Sequence, residues 1–215
     1  MQHRRARPWL TVLLALGPLG APAQPALLPV DEAAQQPDFF AFRARLQEAL
    51  ARRDTEAVLA VVHPQVRTSF GDHGGHDGFR RHWRPDAPDS SLWSTLATVL
   101  ALGGSFVEDG SFHAPYVYSR WPDEVDAFEH RAVVGASVRV RAHPEAAAPI
   151  AGSVSFGIVA VDAPADPGSP WVRVRLPDGT RGYMAQRYLR SPVDYRAIFQ
   201  RHDGRWQLTA LVAGD

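Results

Sequence analysis

No cysteine occurs in the 215 residues. That absence removes disulfides, thiol nucleophiles and a lipid anchor on a cleavage-point cysteine, and leaves packing alone to hold the fold. Lysine is absent too, so all 23 basic residues are arginine and no P-loop, which sets a lysine against phosphates, can be drawn. There is no dinucleotide fingerprint, no G-x-S-x-G elbow and no H-E-x-x-H helix. The apolar run Leu10 to Leu16 is broken by Gly17, Pro18 and Gly20, well short of the roughly 20 residues a membrane span needs.

What is present begins with that run's context. His3, Arg4, Arg5 and Arg7 precede it and Ala21-Pro22-Ala23 follows it, so residues 1–23 read as a secretory signal peptide. The implied location is periplasmic or secreted, with no stable membrane insertion after cleavage. Without Arg4, Arg5 and Arg7 the chain keeps 20 basic against 23 acidic residues, and a mildly acidic chain argues against nucleic acid as partner. A composition 45% hydrophobic and 21% charged is that of a folded protein long enough for a real core.

Residues 24–37 read as a flexible lead-in. Asp38 is then placed as the cap of an amphipathic helix with Phe39, Phe42, Leu46, Ala49 and Leu50 on its buried side. Asp54 or Thr55 caps a second helix, ended by His63-Pro64 because the residue before proline leaves the α region. Gly71 to Gly78 reads as a glycine-rich loop, Phe79 to Trp83 as a turn of helix, and Ser91 to Leu102 as a helix stopped by Gly103-Gly104. From Ser105 the texture turns to β, with Tyr116 to Tyr118 as a candidate strand. The tail is a hairpin: Tyr195 to Gln200 and Trp206 to Val212 flank Asp203-Gly204, a primed-turn pair. The two-residue period puts Trp206, Leu208, Ala210 and Val212 on one face, to be buried on the helical region.

Between these parts stand Val138-Arg139-Val140-Arg141-Ala142-His143-Pro144, Trp171-Val172-Arg173-Val174, Asp178-Gly179, Gly182-Tyr183-Met184 and Tyr188-Leu189. In order and spacing they resemble a bacterial SH3 (SH3b) domain. Further pieces, among them Ser69-Phe70-Gly71, Trp121-Pro122, Ser191-Pro192-Val193-Asp194-Tyr195 and Ala213-Gly214-Asp215, resemble secreted bacterial proteins carrying such a segment. The resemblance implies an SH3-like β-barrel and a non-catalytic role in binding peptides or cell-wall fragments. The fold class that follows is α+β: residues 38–130 plus 193–215 form one domain, completed by the C-terminal hairpin, with an SH3-like barrel at 131–192 inserted.

Alternation along Trp171 to Leu176 turns Val172, Val174 and Leu176 inward and Trp171, Arg173 and Arg175 outward. An indole beside guanidinium groups can stack on and pair with carboxylates. Trp171, Arg173, Arg175, Tyr183 and Tyr188 are therefore the candidate binding residues, and a peptidoglycan fragment or an envelope protein or peptide the candidate partner. The competing reading packs Trp171 at the barrel rim and leaves the arginines solvated. Tyr116, Tyr118, Trp121 and Trp83 read as core and inter-domain packing. His73, His76 and Asp77 are the densest potential metal ligands, but H-x2-H in a glycine loop lacks the anchoring of a zinc motif, and a solvated loop is preferred. No cofactor and no catalytic residue are assigned. The alternatives from other classes are a cell-envelope hydrolase targeted by the SH3-like module, and a structural subunit of an envelope complex.

Overall fold

The computed structural model describes residues 26–69, 74–162 and 168–214, so the predicted signal peptide, 1–23, and His73 lie outside the described residues. Helix α1 (Pro37–Arg52) starts with proline in its first turn, where the missing N–H costs nothing. Its stripe of Phe39, Phe42, Leu46, Ala49 and Leu50 is buried as the spacing predicts. Asp38 is not the cap but a first-turn residue, with Gln36 at the cap position; one oxygen accepts from the Phe39 amide at 2.9 Å and the other from the Trp206 indole at 3.1 Å. Helix α2 (Thr55–Leu59) is capped by Asp54, whose side chain accepts from the Ala57 amide at 3.0 Å.

His63-Pro64 lies inside strand β1 (Val62–Arg67) rather than closing a helix. Strand β1 is an edge strand with a register irregularity between Val62 and Arg67, both places where a sheet tolerates a residue without an N–H. Helix α3 (Gly75–Trp83) extends back into the predicted glycine loop, and α4 (Leu92–Ala101) follows. Strands β2 (Ser105–Phe106) and β3 (Phe112–Ala114) precede a short helix α5 (Tyr116–Ser119). The candidate strand Tyr116 to Tyr118 is thus helical, and the hairpin pairs with β3 instead.

That hairpin, β11 (Arg196–His202) and β12 (Arg205–Val212), turns through Asp203 at φ 48° and Gly204 at φ 76°. Two successive positive φ values suit the right-handed twist of the strands. The first sheet runs β1-β12-β11-β3-β2, with β1 parallel to β12. Opposite Ile198 and Phe199 the register slips, pairing Ala210 and Leu208 and leaving Thr209 as the extra residue. A bulge of one residue reverses the facing of everything beyond it. Leu211, not Ala210 or Val212, therefore joins Trp206 and Leu208 in the core formed with α1 and α4.

The second sheet takes all its strands from the intervening chain: β4 (His130–Val133), β5 (Val138–Arg141), β6 (Ile150–Val154), β7 (Ile158–Val161), β8 (Trp171–Arg175), β9 (Arg181–Ala185) and β10 (Leu189–Arg190). Its order is β10-β4-β7-β8-β9-β5-β6. Val133, Val138, Val140, Val159, Val172 and Met184 are among the side chains of its core. The fold is accordingly mixed α and β, with five α-helices and two sheets among the described residues.

A third apolar cluster joins the two regions through Leu27, Tyr116, Val117, Ala132 and Ile158. Leu27 corrects the reading of 24–37 as a flexible lead-in, so far as that stretch is described. Its amide donates to the Phe156 carbonyl at 2.7 Å, and the Gly104 amide donates to Val30 at 3.0 Å. Asp31 accepts both ends of the buried Arg43 guanidinium at 2.6 and 2.8 Å. Apolar Leu27 and an acid placed to meet Arg43 hold this segment against the body of the protein.

Candidate functional site

Trp171 and Tyr188 meet at a cleft on the second sheet. Strand β8 pairs Trp171 with Ala185 and Arg173 with Tyr183. Trp171 is further fixed by Ser169, whose hydroxyl accepts from the Trp171 amide at 3.1 Å and donates to its carbonyl at 2.9 Å. Tyr188 ends a 3-10 turn, Gln186–Tyr188, with the Arg187 guanidinium 4.7 Å from its ring centroid. The turn is anchored by the Gln186 amide donating to Pro170 and by the Val134 amide donating to the Tyr188 carbonyl, at 2.8 and 2.9 Å.

The cleft has a volume of about 400 Å³; besides Trp171 and Tyr188 it is lined by Arg139, Arg141 and Arg187, by Gly135 to Val138, and by Ala146 and Ala185. Arg139 and Arg141 come from β5, where Val138 and Val140 face the core. Arg141 donates to the Ala148 carbonyl at 2.8 Å, which steadies the loop beside it. None of the described lining residues is acidic. Three arginines beside two aromatic rings are chemically able to pair with and stack on an anion attached to a flat or apolar body.

The other candidate binding residues lie outside the cleft. Val172, Val174 and Leu176 are buried and Arg173 and Arg175 exposed, as the alternation predicts. Both arginines approach Asp162, Arg175 at 3.1 Å and Arg173 at 3.9 Å, and Arg181 joins them at 3.0 Å. Tyr183 is half-buried on β9, opposite Arg173 on one side and Arg141 on the other. Arg139, Arg141 and Arg187 in the cleft, and Asp162 beside Arg175, are not among the residues that the sequence marks as binding candidates. The V-R-V-R alternation of 138–141 carries the same signal as 171–175 and marks Arg139 and Arg141 as outward-facing; Arg187, in a turn, has no such periodic mark.

His76 and Asp77, the metal candidates among the described residues, are not set for a metal. His76 Nε2 lies 2.7 Å from the Val62 carbonyl, so that nitrogen carries its proton and offers no lone pair. Asp77 is exposed on α3, and no group of three His, Cys, Asp or Glu suited to a metal occurs among the described residues.

The arrangement nearest to an acid–base site is Asp109, Ser111 and His113. Ser111 Oγ lies 2.5 Å from Asp109 Oδ1 and 2.9 Å from His113 Nε2. Its hydrogen bonds to the Ser111 hydroxyl and amide hold the Asp109 carboxyl below its ordinary range. A hydroxyl has one proton, and Ser111 directs it in a hydrogen bond to the Asp109 carboxylate, so His113 donates to Ser111 rather than accepting from it. A histidine placed that way cannot serve as the base that activates the serine. Asp109 therefore closes the turn between β2 and β3.

Trp83 and Tyr116 are buried in the core, while Tyr118 stacks on His113 at 5.7 Å and Trp121 donates its indole N–H to the Val125 carbonyl at 2.8 Å. No helix among the described residues is long and apolar enough to cross a membrane. No family model, curated protein or solved structure matches the chain.

Proposed function

We propose that this chain is a non-catalytic binding protein of the periplasm or the secreted fraction, which holds a carboxylate-bearing peptide or cell-wall component in the Trp171–Tyr188 cleft. In this reading residues 131–192 are an SH3-like module inserted into a discontinuous α+β domain of residues 38–130 and 193–215. The direct pairing of β3 with β11, Ala114 opposite Ala197, supports the insertion, because the chain leaves the first sheet and returns to the adjacent strand.

The observation that carries the binding role is the cleft's composition: two aromatic rings, three arginines and no acid among its described residues. Guanidinium groups pair with carboxylates through a fork of N–H donors, and aromatic faces cover an apolar stem. The test is retention on purified sacculi. The parent chain is retained, and the double variant Arg139→Ala, Arg187→Ala passes through while keeping its thermal midpoint. Equal retention of parent and variant ends the proposal, and release of soluble muropeptides by the parent favours the hydrolase alternative.

A further inference from the structure

The outer face of β5, β9, β8 and the end of β7 carries much more positive charge than the cleft alone. Beyond Trp171, the same face continues through Arg173 and Arg175 on β8 and Arg181 on β9, with Arg175 and Arg181 directly paired across the strands. These three guanidinium groups share one carboxylate, Asp162, whose side chain is only 14% exposed, whereas theirs are 49% to 62% exposed. Among the described residues one acid balances one of three bases, so the cluster keeps there an excess of two positive charges facing water. Like charges directly opposite on adjacent strands are unfavourable, and Asp162 offsets that repulsion only in part. This concentration stands out in a chain with equal numbers of basic and acidic residues.

We infer that Arg175 and Arg181, held around Asp162, form a second anion subsite, and that the ligand of the cleft is an extended peptide carrying at least two carboxylates. The inference rests on the binding role proposed for the cleft and adds the ligand's charge spacing. Trp171 and Arg175 lie four residues apart on one strand, about 13 Å at the rise of an extended chain. A peptide lying along the face in extended form repeats that distance between residues i and i+4. The first carboxylate sits among Arg139, Arg141 and Arg187, and the second meets the outward N–H groups that Asp162 leaves free. Asp162 sets the strength of the second subsite: it holds the three guanidinium groups together and competes with the ligand for them.

Calorimetric titration of the full chain with two synthetic peptides tests this. One is acetyl-Glu-Ala-Ala-Ala-Glu-amide; the other replaces the last Glu by Gln. The diacid is expected to bind roughly three- to tenfold more tightly at low salt, the scale of two solvent-exposed ion pairs. That advantage is expected to shrink with added salt. Arg175→Ala, Arg181→Ala is expected to abolish it without altering affinity for the monoacid. Asp162→Asn is expected to raise affinity for the diacid, a gain that a purely structural Asp162 does not produce. If the monoacid binds and the diacid binds no better, the second subsite is overturned while the cleft stands. If neither peptide binds and the chain also fails on sacculi, both readings fall.

Discussion

Trp206 donates its indole N–H to Asp38 at 3.1 Å across 168 positions of sequence. The bond joins the final hairpin to the first helix, and the Trp206 ring also packs edge-on against Phe39 at 4.8 Å. Trp206 is 7% exposed. Trp206→Ala is expected to cost about 3–5 kcal/mol, the range for truncating a buried aromatic. Chain ending at residue 192 is expected to lose the helical region altogether, because β11 and β12 are the middle of its sheet. Urea denaturation of the substituted chain and circular dichroism of the truncated one check the two outcomes.

Gly182 sits where two strands approach closely. A methyl group there would lie 2.6 Å from both the Arg141 carbonyl oxygen and a Val140 methyl. Backbone cannot swing aside as a flexible side chain can, so Gly182→Ala is expected to destabilise the second sheet by about 1–3 kcal/mol. The loss should appear as a lower urea midpoint, together with weakened ligand retention as Tyr183 and Ala185 shift on β9.

Acid sensitivity should begin in the histidine range. Burial first, then the charges of His202 and His76, hold the His63 imidazole below its ordinary 6.5. The His63 and His202 rings lie 4.4 Å apart, and His202 Nε2 is buried without a hydrogen-bond partner among the described residues. His113 is lowered too: burial pushes it down, Asp109 pulls against that, and Arg196 pushes further down. A histidine with a lowered folded pKa favours the unfolded chain once protons bind. Its contribution is present above 6.5 and is lost as pH falls through the lower folded value. Urea midpoints at pH 7.5 and pH 5 are expected to differ, and His63→Gln should reduce that difference, leaving the part due to His113.

The ion pair between buried Arg43 and exposed Asp31 adds a second acid step. Burial raises the Asp31 carboxyl, but the hydrogen bonds from Arg43 and the Ala33 amide and the charge of Arg43 outweigh it, so the net shift is downward. The stability this carboxylate supplies is present above its unfolded pKa and lost as pH falls through the folded one. Asp31→Asn should lower the midpoint at neutral pH by leaving Arg43 buried with its charge unmatched, and the gap from the parent should close toward pH 2.

Much of this architecture was legible because periodicity is local. Phe39, Phe42 and Leu46 declared a helix, Asp203-Gly204 declared a turn, and Val172 with Val174 declared a strand with one face inward. What stayed hidden depended on neighbours distant in sequence. Tyr116 to Tyr118 has strand-like residues, yet burial against Leu27, Ala132 and Ile158 suits a short helix better. Thr209 gives no sign that it is a bulge until β11 is set beside it. In the site, Trp171 and Tyr188 could be named from one segment. Asp162 could not be tied to Arg173, Arg175 and Arg181 before the order of β7, β8 and β9 was known.

The most direct measurement is a calorimetric titration of the full chain and of Arg139→Ala, Arg187→Ala with a soluble muropeptide. The account predicts saturable binding to the parent and binding roughly tenfold weaker or absent in the variant, the scale of losing two charge-assisted contacts, with thermal midpoints unchanged. Equal affinities for the two chains, or no heat from the parent, would contradict it.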